Sequence, residues 1–123
     1  MRDQLNININ MKIVSPSIDE ITRLKALYDY DVLDTEVEKI FDDLTQLTAQ
    51  ICNTPITLIS LVDSDRQWFK SRVGLDAEEI SRDIAFCAHA IHQKEIFEVE
   101  DTLKDERFFD NPLVTSTPNI RFY

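Results

Sequence analysis

The strongest constraint on the fold comes from two strand-like runs that meet at a tight polar turn. Residues 56–62 read ITLISLV, residues 66–73 read RQWFKSRV, and only the tripeptide DSD at 63–65 separates them. Such a short turn makes the pair an antiparallel hairpin. The first run is apolar on both alternating faces apart from Thr57 and Ser60, a pattern that is typical of a central strand covered on both sides.

The second strand of this hairpin alternates, so its side chains divide between the two faces of the sheet. The predicted faces are Trp68, Lys70 and Arg72 on one side, and Gln67, Phe69, Ser71 and Val73 on the other. Trp68 and Phe69 therefore cannot both line a pocket on a single face. Core packing with cross-strand contacts is the alternative role for each of them.

Two amphipathic helices are predicted ahead of the hairpin, over residues 18–30 and 35–52. Apolar side chains recur in each at three- and four-residue spacing, most clearly in the second. Each helix has a capping-box sequence at its start, SIDE at 17–20 and TEVE at 35–38. The apolar surfaces can cover the sheet or pack against a second copy of the chain as a helical bundle, and the sequence leaves both open.

Residues 75–93 are predicted to form a lid across one face of the sheet. The segment begins as a charged loop, and over residues 84–91 the apolar spacing predicts a helix of about three turns. This helix carries Cys87 and His89, so any chemistry of these side chains would take place where the lid meets the sheet.

A further strand is predicted at 96–100, and another begins at 120–123. Because a strand needs a partner for its backbone polar groups, a chain that ends in one is expected to stop inside a domain whose closing strands are absent. We therefore expect a flexible leader over residues 1–16 and a C-terminally incomplete domain over residues 17–123.

Cys87, His89 and His92 are the residues of the lid that could carry chemistry. Cys87 and His89 project about 200° apart on a helix, so they cannot share one ion without distortion, and no metal site is predicted. A nucleophilic Cys87 would need a base in reach, which the sequence does not place. Packing as a small hydrophobe is the favoured role of this thiol, and no catalytic residue is assigned.

The main concentration of basic side chains lies around the hairpin and consists of Arg66, Lys70, Arg72 and Arg82. These groups could clamp an anionic ligand. Pairing with neighbouring acidic side chains at the surface is the favoured interpretation.

Composition disfavours several classes of partner. The 23 acidic and 13 basic residues give a formal net charge of −10, which argues against nucleic acid and anionic membrane surfaces. A single glycine excludes a phosphate-cradling loop.

The sequence also lacks the features of a secreted or membrane-spanning protein. Two separated cysteines do not make a secreted disulfide framework, and no apolar run approaches the ~18 residues of a membrane span. Residues 1–15 lack the features of a signal peptide. The expected location is the cytoplasm.

A series of short motifs between about residue 21 and residue 123 carries a family resemblance. They are RL at 23–24, LDT at 33–35, PI at 55–56, ISLVD at 59–63, DRQWFKS at 65–71, GL at 74–75, RD at 82–83, FCAHAI at 86–91, VED at 99–101, DERF at 105–108 and NPLV at 111–114. With these motifs the chain resembles a GAF domain, in particular those at the N-terminus of bacterial sensor histidine kinases and diguanylate cyclases.

The resemblance implies an α+β fold with a central antiparallel sheet. Helices 18–30 and 35–52 would lie on one face and form a homodimer, and the lid at 75–93 would enclose a small-molecule pocket on the other. It also implies a regulatory, non-catalytic module of a bacterial signal-transduction protein, such as a two-component system, which passes its ligand state to a downstream effector domain. The hypothetical pocket residues are Trp68, Phe69, Phe86, Cys87, His89 and Phe97.

The resemblance leaves the ligand and any cofactor unidentified. Bilin-binding members attach the pigment through a cysteine that histidine often follows directly, whereas Ala88 follows Cys87, and the signature of cyclic-nucleotide-binding members is missing. Bilin and cyclic nucleotide are therefore both disfavoured. The branch that reduces methionine sulfoxide uses several pocket cysteines, but Cys52 is predicted on the outer helix. Two alternatives stay open: a ligand-free dimerisation module and, ranked below it, an enzyme that depends on Cys87.

Overall fold

The structure, a computed structural model, describes residues 11–123. Residues 1–10 of the predicted leader lie outside the described residues, and residues 11–16 have no regular secondary structure. In chain order the elements are α1 (Glu20–Asp29), α2 (Lys39–Cys52), β1 (Thr57–Val62), β2 (Arg66–Val73), β3 (Glu79–Ser81), a 3₁₀ turn (Arg82–Ile84), α3 (Cys87–Ala90), a second 3₁₀ turn (Thr102–Lys104) and α4 (Pro112–Thr115). Helices combined with an antiparallel sheet give the predicted α+β class.

The predicted hairpin is confirmed. β2 has the predicted limits, β1 begins one residue later than predicted, and the two strands pair antiparallel with Thr57 opposite Val73. The Asp63 N–H donates to the Arg66 carbonyl at 2.8 Å and closes the turn. The sheet order is β1-β2-β3, so β1 lies at an edge of the described sheet, where a central position was predicted.

Gly74 follows β2 in a conformation that glycine adopts at low cost. Its φ is +79°, and a Cβ at this position would lie 1.9 Å from the carbonyl oxygen of Pro55. The backbone before β1 and the backbone after β2 therefore approach closely, with no side chain between them. This contact fixes the open end of the hairpin.

A β-bulge interrupts the alternation of β2. Ile59 pairs with Ser71 and Ser60 pairs with Phe69, so Lys70 has no partner on β1. A bulge of this kind changes which face the following side chains point to. Ser71 was predicted to share a face with Phe69, and this prediction is wrong. Its Oγ instead lies 2.7 Å from the Thr45 Oγ1 on α2.

The third strand is not the predicted one. Neither residues 96–100 nor residues 120–123 form a strand. The two segments nevertheless contact each other, because Val99 and Tyr123 exchange two backbone hydrogen bonds, at 2.7 and 3.0 Å. β3 lies instead in the segment predicted as a charged loop, where Ile80 pairs with Gln67. Three residues with two polar side chains give too short a pattern for a strand to be recognised.

Both N-terminal helices are shorter than predicted, because neither capping box forms. α1 and α2 begin after Asp19 and Glu38, and neither residue makes a side-chain capping hydrogen bond. The Thr35 hydroxyl instead donates to the Val32 carbonyl at 2.6 Å and accepts a hydrogen bond from Lys70. Tertiary contacts have therefore taken the polar group that would have capped a longer α2.

The lid helix is also shorter than the predicted three turns. Residues 82–84 form a 3₁₀ turn and α3 covers only Cys87–Ala90, because Ala85 between them has extended backbone dihedral angles. The buried aromatic core lies next to this segment. It comprises Phe86, Val99, Phe108 and Val114, with Phe97, Ile120 and Tyr123 packed against it.

Candidate functional site

A cavity of about 570 Å³ lies between the sheet and the segment that carries α3. The hairpin contributes Leu58, Ser60, Gln67 and Phe69, and the segment before and in α3 contributes Phe86 and Cys87. Residues 118–123 form the opposite wall. The cavity therefore depends on the hairpin, on the break before α3 and on the last residues of the chain.

Four polar side chains of the cavity lining contact one another, and we call them the polar cluster: Ser60, Gln67, Cys87 and Tyr123. The Cys87 Sγ lies 2.8 Å from the Tyr123 Oη and 3.1 Å from the Gln67 Nε2. The Gln67 Nε2 also donates to the Ser60 Oγ at 2.7 Å. The cluster thus links β1, β2, α3 and the C-terminal segment through hydrogen bonds.

The Tyr123 hydroxyl is held in its protonated form. Burial raises the pKa of this phenol well above its usual range, and the neighbouring Cys87 raises it further. The hydroxyl therefore stays neutral and available for hydrogen bonding at physiological pH.

The structure brings three of the six predicted pocket residues together on this cavity, namely Phe69, Phe86 and Cys87. Trp68 is buried but does not line the cavity, as the alternation with Phe69 requires. Sequence reasoning did not select Ser60, Gln67 or Tyr123. Ser60 stood out as a polar residue in an apolar strand, and Gln67 shares the face of Phe69.

His89 and Phe97 lie in the aromatic core and do not line this cavity. Their rings stack with centroids 6.5 Å apart, and the His89 ring meets Phe108 edge-on at 4.8 Å. Burial lowers the pKa of His89, and the positive charge of Arg107 lowers it further. This histidine is therefore neutral at physiological pH and acts as a packing residue.

The hydrogen bonds of Cys87 offer no general base. In the described part of the chain its side-chain partners are the hydroxyls of Ser60 and Tyr123 and the amide of Gln67. These groups are neutral, and none is a histidine or a carboxylate of the kind that activates a cysteine nucleophile. The geometry is that of a hydrogen-bonded thiol at a cavity wall.

Three of the four basic side chains near the hairpin are engaged with acidic partners, whereas Arg72 is exposed to solvent. Arg66 pairs with Asp34, Asp63 and Glu79 at distances of 2.8 to 3.3 Å. Lys70 and Arg82 likewise contact glutamate carboxylates. The favoured interpretation, pairing rather than an anion clamp, agrees with these contacts, although Lys70 and Arg82 are buried rather than at the surface.

Metal sites and helices that could span a membrane are the other features to consider among the described residues. Among residues 11–123 no three histidine, cysteine, aspartate or glutamate side chains converge in a way that could hold a metal ion. None of the helices in the same range is long and apolar enough to cross a membrane.

Comparison with known proteins identifies the family. A profile of the GAF domain matches residues 36–123, which is more than half of the chain. A cyclic di-GMP phosphodiesterase of Pseudomonas aeruginosa is 40% identical over 105 residues, which cover 85% of this chain but only 18% of that protein. The profile match over residues 36–123 shows that the chain belongs to the GAF domain family.

Proposed function

We propose that this chain is a regulatory, non-catalytic module that senses a small molecule inside a cytoplasmic signalling protein. The observation that carries the proposal is the cavity, whose walls are mostly apolar and whose lining includes the four hydrogen-bonded side chains of the polar cluster. Small-molecule sites combine apolar walls with a few placed polar groups in this way.

Transmission of the ligand state is the second part of the proposal, and the β-bulge offers a physical route for it. Phe69 lines the cavity, and the next residue, Lys70, contacts Thr35 and Glu36 ahead of α2. A ligand that moves Phe69 would therefore change the anchoring of α2. Binding would shift the population between two arrangements of this helix.

Dimerisation would carry this change to an attached effector domain. The surface of α2 exposes Ile40, Leu44, Leu47 and Ile51, each at least half accessible to solvent. A row of apolar side chains on one helix is a suitable surface for a helical bundle with a second copy, in which α1 would take part. A ligand-free dimerisation module is the second candidate function, and this same surface favours it.

The kind of effector is proposed from the comparison and from the sequence resemblance to the GAF domains of sensor histidine kinases. The name of the Pseudomonas aeruginosa relative describes a cyclic di-GMP phosphodiesterase, and the matched part is less than a fifth of that protein. We propose that the effector here also acts in a signalling pathway, as a nucleotide-messenger enzyme or a histidine kinase of a two-component system.

A thermal-shift screen tests the sensing proposal. The 123-residue chain would be screened against fractionated bacterial metabolites that include charged and uncharged compounds. A ligand of the cavity should raise the melting temperature of the unaltered chain and of Ser116→Leu, a control away from the cavity lining. It should not raise that of Ser60→Leu, which places a larger apolar side chain in the polar cluster. If no fraction stabilises the chain although it forms dimers, the ligand-free alternative replaces the sensor.

A further inference from the structure

We infer that the cavity binds a small monocarboxylate with an apolar body, and that the guanidinium group of Arg121 binds its carboxylate. The inference rests on the proposed sensing function, which it narrows to one chemical class of ligand. It depends on three observations: Arg121 has no acidic partner, its backbone contacts leave one edge of the guanidinium available, and no other side chain of the lining carries a permanent charge.

Arg121 differs from most other arginines of the chain in lacking an acidic partner. Arg23, Arg66, Arg82 and Arg107 each pair with an aspartate or glutamate carboxylate. No ion pair among residues 11–123 includes Arg121, although the chain has 23 acidic and only 13 basic residues. Its charge is therefore available to compensate the charge of a ligand.

Two backbone carbonyl groups hold the guanidinium of Arg121 in place. Its Nη1 donates to the carbonyl oxygens of Val114 at 2.9 Å and Ile120 at 3.2 Å, whereas Nε and Nη2 donate no hydrogen bond to residues 11–123. The Nε and Nη2 atoms form one edge of the planar group, and two parallel donors of this kind match the two oxygens of a carboxylate. Because the backbone contacts already restrict the side chain, a ligand pays less of the entropic cost of ordering it.

The rest of the lining favours a single negative charge over other charge states. Arg121 lines the cavity, and no aspartate or glutamate does so among the described residues. A ligand cation would therefore meet a like charge without a compensating partner, and a phosphate dianion would keep one charge unpaired beside apolar walls. The net charge of −10 repels anions from the molecule as a whole, but salt screens this repulsion beyond about 8 Å, so the adjacent guanidinium decides.

The remaining walls are suited to an apolar body. Leu58, Phe69 and Leu75 line the cavity together with Ile80 and Phe86. A volume of about 570 Å³ lies within the usual range for small-molecule sites and leaves room for a fused ring system. The ligand class is therefore an aromatic or alicyclic compound with one carboxylate group.

Two probes of nearly equal shape isolate the contribution of the negative charge. They are 2-naphthoate and its neutral amide, 2-naphthamide, titrated separately into the 123-residue chain at neutral pH and followed by the fluorescence of the probe. We expect 2-naphthoate to bind roughly three- to tenfold more tightly, because only the carboxylate forms a charge-assisted pair with a guanidinium that is partly exposed to solvent.

Variants assign this preference to Arg121. Arg121→Gln should weaken 2-naphthoate and bring the affinities of the two probes together, whereas a general distortion of the cavity would weaken both probes alike. Arg72→Gln is the matched control, because it removes the same charge from an exposed residue that does not line the cavity. This control should leave the preference for 2-naphthoate unchanged.

A protection experiment on the unaltered chain tests the same contact if Arg121→Gln does not fold. Phenylglyoxal modifies accessible guanidinium groups, and Arg72 and Arg121 are both exposed. Saturating 2-naphthoate should protect Arg121 from modification and leave Arg72 unprotected, as peptide mass spectrometry would measure.

The outcomes separate this inference from the sensing proposal. Binding of 2-naphthamide as tight as that of 2-naphthoate, a preference that Arg121→Gln leaves unchanged, or modification of Arg121 that 2-naphthoate does not slow overturns the ligand class while a sensing role survives. Failure of 2-naphthoate to bind at its solubility limit also overturns the inference. The sensing proposal itself falls only if the wider metabolite screen, which includes charged and uncharged compounds, finds no ligand.

Discussion

The Lys70 Nζ lies 2.6 Å from a carboxylate oxygen of Glu38, in an ion pair that joins strand β2 to the residue before α2. The lysine side chain is only 1% exposed, and the same Nζ donates to the Thr35 Oγ1 and to the Glu36 carbonyl, both at 2.7 Å. The bulge residue of the sheet is therefore the anchor of the loop that leads into α2.

Removal of this anchor should destabilise the fold. Lys70→Met keeps the apolar stem but leaves the Thr35 hydroxyl and the Glu36 carbonyl without their donor, and we expect a loss of about 1–3 kcal/mol in the free energy of unfolding. Lys39→Met is the control, because the Lys39–Asp43 pair is exposed and should contribute less than about 0.5 kcal/mol. Urea denaturation measures both, and equal losses would contradict the anchoring role.

The sequence could predict the hairpin because seven apolar-rich residues, a short polar turn and eight alternating residues leave few other folds. It could not predict the bulge at Lys70, since the extra residue changes no local propensity and is fixed by contacts with α2. This single residue decides that Ser71 faces the helix and not the cavity. The role of Tyr123 depends in the same way on tertiary packing, because its hydroxyl reaches Cys87 from 36 positions along the chain.

The stability of the chain should depend on Glu20 in acid. Hydrogen bonds from Arg23 and Arg82 lower the pKa of this carboxyl from 4.5 to about 2. A depressed pKa stabilises the folded state above the unfolded value, and this contribution is lost as the pH falls from about 4.5 to about 2.

Glu20→Gln should therefore reduce the free energy of unfolding at pH 7 by about 1–3 kcal/mol. The value is smaller than the full pKa change implies, because solvent screens this partly accessible ion pair. The difference from the unaltered chain should shrink between pH 4.5 and pH 2, in denaturant titrations at several pH values. Glu106→Gln, at an exposed position, is the control and should change the stability at pH 7 by no more than about 0.5 kcal/mol. A Glu20→Gln deficit that persists unchanged at pH 2 would refute the assignment.

Gly74 should tolerate no side chain. Gly74→Ala places a Cβ against the Pro55 carbonyl at a positive φ, and we expect a loss of at least about 2 kcal/mol. Asn53→Gly is a control for the positive φ alone, because Asn53 has φ +49° at the end of α2 but is exposed and has no such close backbone contact. This control should change stability by no more than about 0.5 kcal/mol. Thermal denaturation compares the two, and an Ala variant as stable as the control would disprove the close approach.

The two cysteines should differ in reactivity, and Cys87 should report on the cavity. Cys52 is exposed, whereas the Cys87 thiol is partly buried and hydrogen-bonded. Because alkylation requires access to the thiolate, iodoacetamide should modify Cys52 at least about tenfold faster. A saturating cavity ligand should slow the modification of Cys87 further and leave Cys52 unaffected, as peptide mass spectrometry would measure. Protection of both residues, or of neither, would place the ligand elsewhere.

The apolar surface of α2 should govern self-association. Leu44 and Leu47 are about half exposed, and covering a leucine contributes about 1.5–3 kcal/mol per side chain. In a symmetric dimer each substitution acts twice, so Leu44→Glu with Leu47→Glu should weaken the dimer at least about a hundredfold. Leu103→Glu is the matched control, because Leu103 is equally exposed in a separate part of the chain. Sedimentation equilibrium would show the α2 variant as a monomer at concentrations where the unaltered chain and the Leu103 variant are dimers. Equal weakening by the control would mean that the contact is not specific to α2, and the route from the cavity through Lys70 to a dimer would lose its last step.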